Sequence, residues 1–143
     1  MAYVCMDCYE VYDMELKYCP KATCGGTEVV EIDDLMMPII IELNQKGYCT
    51  DYCCSGHSYN YSAPYVAFNR LIEEIFEDGE FEALCENLPA PWHLEVNESD
   101  NRFRKFCLRR DIKDETLVEK YENIIMANLA LLKFVEDLPD LEY

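Results

Sequence analysis

The first 27 residues carry two close pairs of cysteines, and this pattern constrains the fold more than any other feature of the sequence. Cys5 and Cys8 are separated by two residues, and Cys19 and Cys24 by four. Two such pairs with a short spacer suit one tetrahedral Zn²⁺ held by four thiolates. All four ligands are protein sulfurs, so the predicted site has no position for water and is structural rather than catalytic. Two disulfides, free thiols and bound iron are the alternatives.

Residues 1–27, called the head below, resemble zinc-ribbon and rubredoxin-like knuckles. Pro20 and Gly25-Gly26 flank the second pair, where glycine lets the chain turn sharply around a metal. The second pair departs from that pattern, because two intervening residues are more common than four. The resemblance implies a module that contacts nucleic acid or protein. Metal would supply much of its folding energy, because so short a segment buries little core of its own.

The charge of the chain favours a protein partner over a nucleic acid. The 143 residues include 29 acids and 12 bases, for a net charge of −17. Such a surface should repel phosphate, so direct binding of duplex DNA is disfavoured, whereas a basic protein would be attracted. The alternative is that the acids serve only solubility.

Composition also bears on the compartment. Half of the residues are apolar, which is enough for a core, but no apolar run approaches the roughly 18 residues of a membrane span. The opening "MAYVCMDCYE" lacks the basic and apolar regions of a signal peptide. We therefore expect a cytoplasmic protein without membrane contact. There, nine cysteines would serve as metal ligands or free thiols rather than disulfides.

Beyond the head, residues 28–143 are predicted to form one α+β domain. A helix should begin near Leu35 and stop at Gly47, and strands should follow at 48–53 and 65–68. Asn69 can cap the helix in "RLIEEIFEDG", and a short helix follows in "EFEALCENL". "WHLEV" and "RFRKFCLRR" then read as a hairpin. The predicted order is α-β-β-α-α-β-β-α, with a mostly antiparallel sheet and helices on one face.

The last predicted helix covers about 114–136. One side carries Leu117, Tyr121, Ile124, Asn128, Leu131 and Val135. From Ile124 to Val135 the helix is apolar nearly all round. Such a helix is either central in the core or shared with a second copy in a homodimer.

The stretch "YCTDYCCSGHSYNY", residues 48–61, allows several interpretations. Cys49, Cys53 or Cys54 and His57 offer three metal ligands without an evident fourth. Cys54 and His57 could form a nucleophile pair, which acidic surroundings would oppose. The segment could also bind an anion or a base through backbone amides and tyrosine faces, or be only a tight turn. The candidate ligand-binding residues are Tyr52, Cys54, Ser55, Gly56, His57, Tyr59 and Tyr61.

The same stretch carries two resemblances. The pattern GY-x-T-x-x-C-C-S-G-H, here 47–57, resembles that of small phage and Gram-positive bacterial proteins with a cysteine-rich head. It implies a phage-type accessory protein in the cytoplasm of a bacterial host cell. Cys54, Ser55 and Gly56 are also similar to the Ser-Cys-Ser-Gly-Arg segment of wybutosine-synthesis methyltransferases, which act on transfer RNA; His57 replaces the arginine. This second resemblance implies a shared loop shape and does not carry the activity.

Two charged segments supply the remaining candidates. Residues 102–113 hold six of the twelve bases, and Arg102, Arg104 and Lys105 could bind a phosphate or carboxylate beside the CSGH segment; pairing with nearby acids is the alternative. Residues 73–86 hold seven acids and no base, so they could imitate the phosphates of a nucleic acid or simply be a solvated helix. The candidate partner-binding residues there are Glu73, Glu74, Glu77, Asp78, Glu80 and Glu82.

Two functions are consistent with these features. The first is a non-enzymatic, acidic, zinc-binding interaction protein that inhibits a basic host protein, such as a nuclease, a defence protein or another nucleic-acid enzyme. The second is a nucleotide- or RNA-binding protein, sequestering or enzymatic, that uses the CSGH segment and the basic strand. The sequence favours the first, because no convincing active site is evident.

Overall fold

A three-stranded antiparallel sheet lies within residues 2–32 and is called the head sheet below. The computed structural model describes residues 2–54, 65–77, 79–97, 105–110 and 116–141. Strand β1 (Ala2–Cys5) lies between β2 (Val11–Tyr12) and β3 (Val29–Ile32) and is antiparallel to both. Strand β2 has only two residues, too few for an alternation of apolar and polar side chains that the sequence could reveal.

A second sheet forms the centre of the rest of the chain. Its strands are β4 (Thr50–Cys54), β5 (Tyr65–Phe68), β6 (Trp92–Val96) and β7 (Phe106–Arg110), in the order β4-β5-β7-β6. Every neighbouring pair is antiparallel, which confirms the predicted hairpin of β6 with β7, the mostly antiparallel sheet and the α+β class. Strand β7 is internal, and Phe106, Cys107 and Leu108 are all buried, so both of its faces are covered.

Four helices complete the described elements: α1 (Met37–Gln45), α2 (Arg70–Ile75), α3 (Glu80–Leu84) and α4 (Leu117–Glu136). Asn69 caps α2 as predicted, because its side chain accepts a hydrogen bond from the Leu71 amide at 2.9 Å. Helix α4 begins with a reciprocal capping box between Thr116 and Glu119. Among the described residues, no helix has the length and apolar character needed to cross a membrane.

Gly47 terminates helix α1, as predicted, two residues after its last helical residue, Gln45. Gly47 adopts φ of +95°, its amide donates to the Asn44 carbonyl, and the Tyr48 amide donates to the Leu43 carbonyl at 2.9 Å. These two bonds form a Schellman motif, which favours glycine because a side chain is strained at positive φ.

We expect Gly47→Ala to lower the free energy of unfolding by about 1 kcal/mol, because alanine has a Cβ that disfavours this backbone conformation. Urea denaturation would measure the change. Gln45→Ala, at the exposed last residue of α1, is the matched control and should leave stability nearly unchanged. Equal effects of the two substitutions would contradict this role of Gly47.

One hydrophobic cluster contains residues of both sheets. Val4 of β1 and Ile32 of β3 belong to the same buried cluster as Val66 of β5 and Leu108 of β7. The division of the chain after residue 27 stays a prediction, and β3 lies just beyond it.

Polar contacts hold the end of α4 against this core. The Tyr48 hydroxyl donates to the Pro139 carbonyl at 2.7 Å, and the Trp92 indole donates to the Ala127 carbonyl at 2.9 Å. Lys46 Nζ donates to the carbonyls of Glu136 and Leu138. Lys46 thereby satisfies carbonyls at the carboxyl end of α4, which have no partner within the helix.

Candidate metal centre

The four cysteines of the head converge on one point. Their sulfur atoms all lie within 4.8 Å of one another, with Cys5 Sγ to Cys24 Sγ and Cys8 Sγ to Cys19 Sγ both at 3.7 Å. A disulfide would need about 2.05 Å. Four thiolates about 2.3 Å from a central metal ion form a tetrahedron with edges of about 3.8 Å. The sulfur spacing therefore fits one tetrahedral metal ion, as the sequence predicted.

The first cysteine pair lies in a tight turn at the end of β1. The Tyr9 amide donates to the Cys5 carbonyl at 2.7 Å, and the Cys5 amide donates to the Glu10 carbonyl at 3.0 Å. Tyr9 adopts φ of +63°, the left-handed conformation in which the chain reverses after Cys8. This turn brings Cys8 back beside Cys5.

The second pair reaches the same point although four residues separate its members. The amides of Cys24 and Gly25 both donate to the Lys21 carbonyl, and Gly25 adopts φ of +64°. The Gly26 amide donates to Cys24 Sγ at 3.4 Å, and the Gly26 carbonyl accepts from the Cys19 amide at 2.7 Å. The extra residues form an additional turn, so the longer spacing is compatible with a knuckle.

Tyr12 contacts the cluster from β2, and sequence reasoning did not identify it. Its hydroxyl lies 3.2 Å from Cys19 Sγ. The hydrogen bond lowers the pKa of the Cys19 thiol to about 7 and raises the pKa of Tyr12 itself. A hydroxyl that donates to a sulfur stabilises the thiolate, which is the form that binds a metal. Only the pairing of β2 with β1 brings Tyr12 to this position.

We expect Tyr12→Phe to weaken metal binding by roughly tenfold, the lower end of the effect seen when an outer-sphere partner of a ligand is removed. Competition against a chromophoric chelator would measure the affinity, and the thiolate-to-metal absorption of the Co²⁺-substituted protein should shift. Tyr18→Phe is the control, because Tyr18 is adjacent to Cys19 in sequence but 63% exposed. If both variants keep the wild-type affinity and spectrum, the Tyr12 hydrogen bond does not act on the metal.

The geometry of the head is that of a zinc-ribbon-like knuckle. No protein-family model, curated protein or solved structure matches this chain. The assignment of the site therefore depends on the sulfur geometry. Cys5 and Cys19 are buried and Cys8 and Cys24 are half-buried, so a metal ion would be held mostly away from water.

The other described cysteines do not form a second cluster of potential metal ligands among the described residues. Among the described residues, only the four head cysteines form a group of three or more potential ligands. Cys85 and Cys107 are buried, and burial raises their pKa values to about 12 and about 11. Thiols with such pKa values are protonated at neutral pH and therefore poor nucleophiles. Cys49 and Cys53 are half-buried.

Most of the CSGH segment lies outside the described residues. Ser55, Gly56, His57, Tyr59 and Tyr61 fall in the gap between 54 and 65, and the side chains of Tyr52 and Cys54 are not described either. Their predicted roles stay predictions.

The sheet ends that border this gap are described. A cleft of about 280 Å³ next to Cys53 and Tyr65 is lined by three acids, Glu28, Glu31 and Asp51. These carboxylates would repel a bound phosphate there.

The basic segment is only partly described, since Arg102 and Arg104 lie outside the described residues. Lys105 Nζ lies 5.3 Å from the centroid of the Phe106 ring at the start of β7. In the register of the sheet, Tyr65 pairs with Arg109, four residues further along β7. Lys105 is therefore at the opposite end of the sheet from Cys54 and Tyr65, which border the CSGH gap.

Of the two arginines at the end of β7, Arg109 makes contacts within the chain and Arg110 is buried. Arg109 Nε lies 2.6 Å from a Glu95 carboxylate oxygen, and its guanidinium stands over the Tyr65 ring at 5.7 Å. Arg110 is 3% exposed. Internal pairing, the alternative considered for this segment, thus applies to Arg109.

Three of the six acidic candidates, Glu74, Glu77 and Glu80, are exposed. Glu74 and Glu77 are exposed, and neither pairs with a base elsewhere in the described ranges. Glu80 Oε1 accepts a hydrogen bond from the Glu77 amide at 2.6 Å, and one oxygen of Glu82 is buried. Glu73 is half-buried, and Asp78 lies outside the described residues. Glu74 and Glu77 are therefore the best placed to meet a partner.

Proposed function

We propose that this chain is a non-enzymatic, zinc-binding interaction protein of the phage accessory type, which inhibits a bacterial nucleic-acid-binding or defence protein by occupying its basic surface. The observation that carries the proposal is the exposed acidic surface of α2 and α3, on a chain with 29 acids and 12 bases. A nuclease or other nucleic-acid enzyme has the complementary charge.

Zinc is the metal proposed for the head. Four thiolates at tetrahedral spacing suit Zn²⁺, and such a site leaves no open coordination position for a substrate or water. The metal would hold the two cysteine turns together and would do no chemistry. Four cysteines can also bind iron. Metal analysis of the purified protein would show which of the two metals is bound.

The acidic surface supports mimicry because three exposed carboxylates follow one another along the chain, and one of them is held in place. Glu74 is on α2, Glu77 lies between the helices, and Glu80 begins α3, where its carboxylate is held by the Glu77 amide. Leu71 and Ile75, 36% and 39% exposed, belong to the same helix as Glu74. Carboxylates beside exposed apolar side chains would fit a partner surface on which phosphate-binding basic side chains lie next to apolar ones.

The test is the affinity for a basic partner captured from a bacterial lysate and then purified. We expect binding to weaken steeply with salt and to compete with the nucleic acid of the partner. Glu74→Lys combined with Glu77→Lys should weaken binding by roughly tenfold or more, because two favourable charge contacts become repulsive.

A matched control distinguishes a loss of binding caused by the acidic surface from a loss caused by the change in net charge. Asp13→Lys combined with Glu15→Lys makes the same change in net charge at two exposed positions of the head. If both double variants weaken binding equally, only net charge is involved. If neither does, or if nucleic acid does not compete, the proposed inhibition is wrong.

A nucleotide- or RNA-binding role is the second candidate. The observation in its favour is Arg109 above the Tyr65 ring, at the end of the sheet that borders the CSGH gap. A nucleotide-like anion should then raise the melting temperature, and His57→Ala or Arg104→Glu should remove the increase. The acidic cleft at the same sheet end opposes this candidate, and a nucleotide panel without any shift would eliminate it.

A further inference from the structure

The outward side of α4 carries an unusual set of exposed apolar side chains. Val118, Met126 and Leu129 are 67%, 66% and 58% exposed, and Ile125 is 38% exposed. The opposite side of the helix, with Ile124, Leu131 and Val135, is buried in the core. The helix therefore has two apolar sides, and the described part of the chain covers only one of them.

A groove runs along this outward side. It has a volume of about 150 Å³ and lies between the start of α1 and α4, where Leu35, Pro38, Ile125, Leu129 and Leu132 form its walls. Asn128, which is 4% exposed, also lines it. Its amide nitrogen donates to the Leu35 carbonyl at 3.1 Å, whereas its Oδ1 is buried and has no donor among the described residues. The groove is thus mostly apolar, with the carboxylate of Asp34 also in its lining.

The two charges that flank the centre of this face are complementary, whereas the carboxylates Glu119 and Glu136, further out along α4, would face each other in an antiparallel pair of α4 helices. Glu122 and Lys133 are exposed, and neither forms an ion pair with another described residue. They are eleven residues apart, about three helical turns, so they lie on one side of α4 about 16 Å apart. If a second α4 packs antiparallel, a two-fold axis between Met126 and Leu129 sets each Glu122 opposite Lys133 of the other copy.

We infer that the chain forms a two-fold symmetric homodimer through an antiparallel pair of α4 helices. Met126 and Leu129 lie at the centre, the Glu122 and Lys133 pairs lie on both flanks, and an apolar side chain of each copy enters the groove of the other. Lys133 is one of only 12 bases in the chain, so a partner that is itself basic would meet repulsion at this position. A second copy satisfies both charges.

Net charge gives this dimer a distinctive salt dependence. Each copy carries −17, so two copies repel one another at long range, and salt screens that repulsion. Dimerisation should therefore strengthen with salt, whereas binding of a basic partner to the acidic surface should weaken. This inference is independent of the proposed function.

The test is sedimentation velocity of the metal-loaded full chain over a range of protein concentrations, at low and high salt. Met126→Glu should raise the dissociation constant of the dimer by roughly tenfold or more, because a carboxylate would be buried at the two-fold axis. Met14→Glu is the matched control, since Met14 is 60% exposed but belongs to the head; it should dimerise like the wild type. A chain that is monomeric at all concentrations, or a dimer unaffected by Met126→Glu, would overturn the inference.

Charge exchange tests the antiparallel arrangement itself. Glu122→Lys and Lys133→Glu should each weaken the dimer, and the double variant should recover most of the wild-type affinity, because every pair is then restored with the signs reversed. Each single variant should show the same circular dichroism spectrum as the wild type. A double variant no better than the two single variants would overturn the antiparallel pairing.

Discussion

Replacing Cys24 with serine is expected to weaken metal binding by about a hundredfold and to lower the melting temperature of the whole chain. Structural zinc contributes about 10–16 kcal/mol of binding free energy in small modules, so one of four thiolates corresponds to about 3 kcal/mol. The loss reaches beyond the head, because Val4 and Ile32 of the head sheet belong to the common core. For a chain of this size, about 3 kcal/mol lowers the melting temperature by roughly 10 °C.

Calorimetry of the metal-loaded variant and wild type would measure the shift. Cys49→Ser is the matched control, because Cys49 is half-buried like Cys24 but lies outside the four-cysteine cluster. A chelator strong enough to strip both proteins should lower the melting temperature of the wild type by more than Cys24→Ser does, because it removes the whole contribution of the metal, and should bring variant and wild type to nearly the same melting temperature. If Cys24→Ser melts at the temperature of Cys49→Ser and keeps its metal, the cluster does not stabilise the fold.

Leu131→Ala is expected to lower the free energy of unfolding by about 2–5 kcal/mol, the range for deleting a fully buried leucine side chain. Leu131 is fully buried on the inward side of α4, in the same cluster as Leu43 and Val135. The alanine would leave a cavity. The neighbouring residues would not move to fill it, because contacts such as the hydrogen bond from Trp92 to the Ala127 carbonyl hold them in place. Urea denaturation gives the change directly.

Leu129→Ala provides the contrast from the same helix. Leu129 is 58% exposed, so its truncation should change the stability of the monomer by no more than about 0.5 kcal/mol. Both variants should be measured at a protein concentration low enough to avoid self-association. A loss at Leu129 that equals the loss at Leu131 would mean that α4 is rotated about its axis relative to the core described here.

The sequence predicted those elements whose signals are local. Gly47 and Asn69 mark a helix end and a helix start through their own backbone and side-chain chemistry, and both assignments were confirmed. The spacing of apolar residues at every third or fourth position in α4 predicted the buried positions Ile124, Leu131 and Val135. The cysteine spacing likewise predicted the metal site, because ligand geometry restricts which spacings can surround one ion.

Features that depend on distant pairing were not predictable in the same way. Nothing near Tyr12 indicates that its hydroxyl contacts Cys19, because the contact exists only after β2 pairs with β1. The sheet order places β7 between β5 and β6, so Cys107 becomes fully buried although Lys105 and Arg109 lie two residues to either side of it. The sequence could not show that Lys105 and the CSGH segment border opposite ends of the sheet, because this follows from the register of β5 with β7.

Native mass spectrometry of the purified chain, followed by the same measurement after denaturation, would decide whether the four head cysteines hold a metal ion. We predict one zinc ion per chain in the native spectrum, held by Cys5, Cys8, Cys19 and Cys24, and a fully reduced mass once the metal is released. A native chain without metal, or a mass reduced by the hydrogens lost in two disulfides, would contradict it.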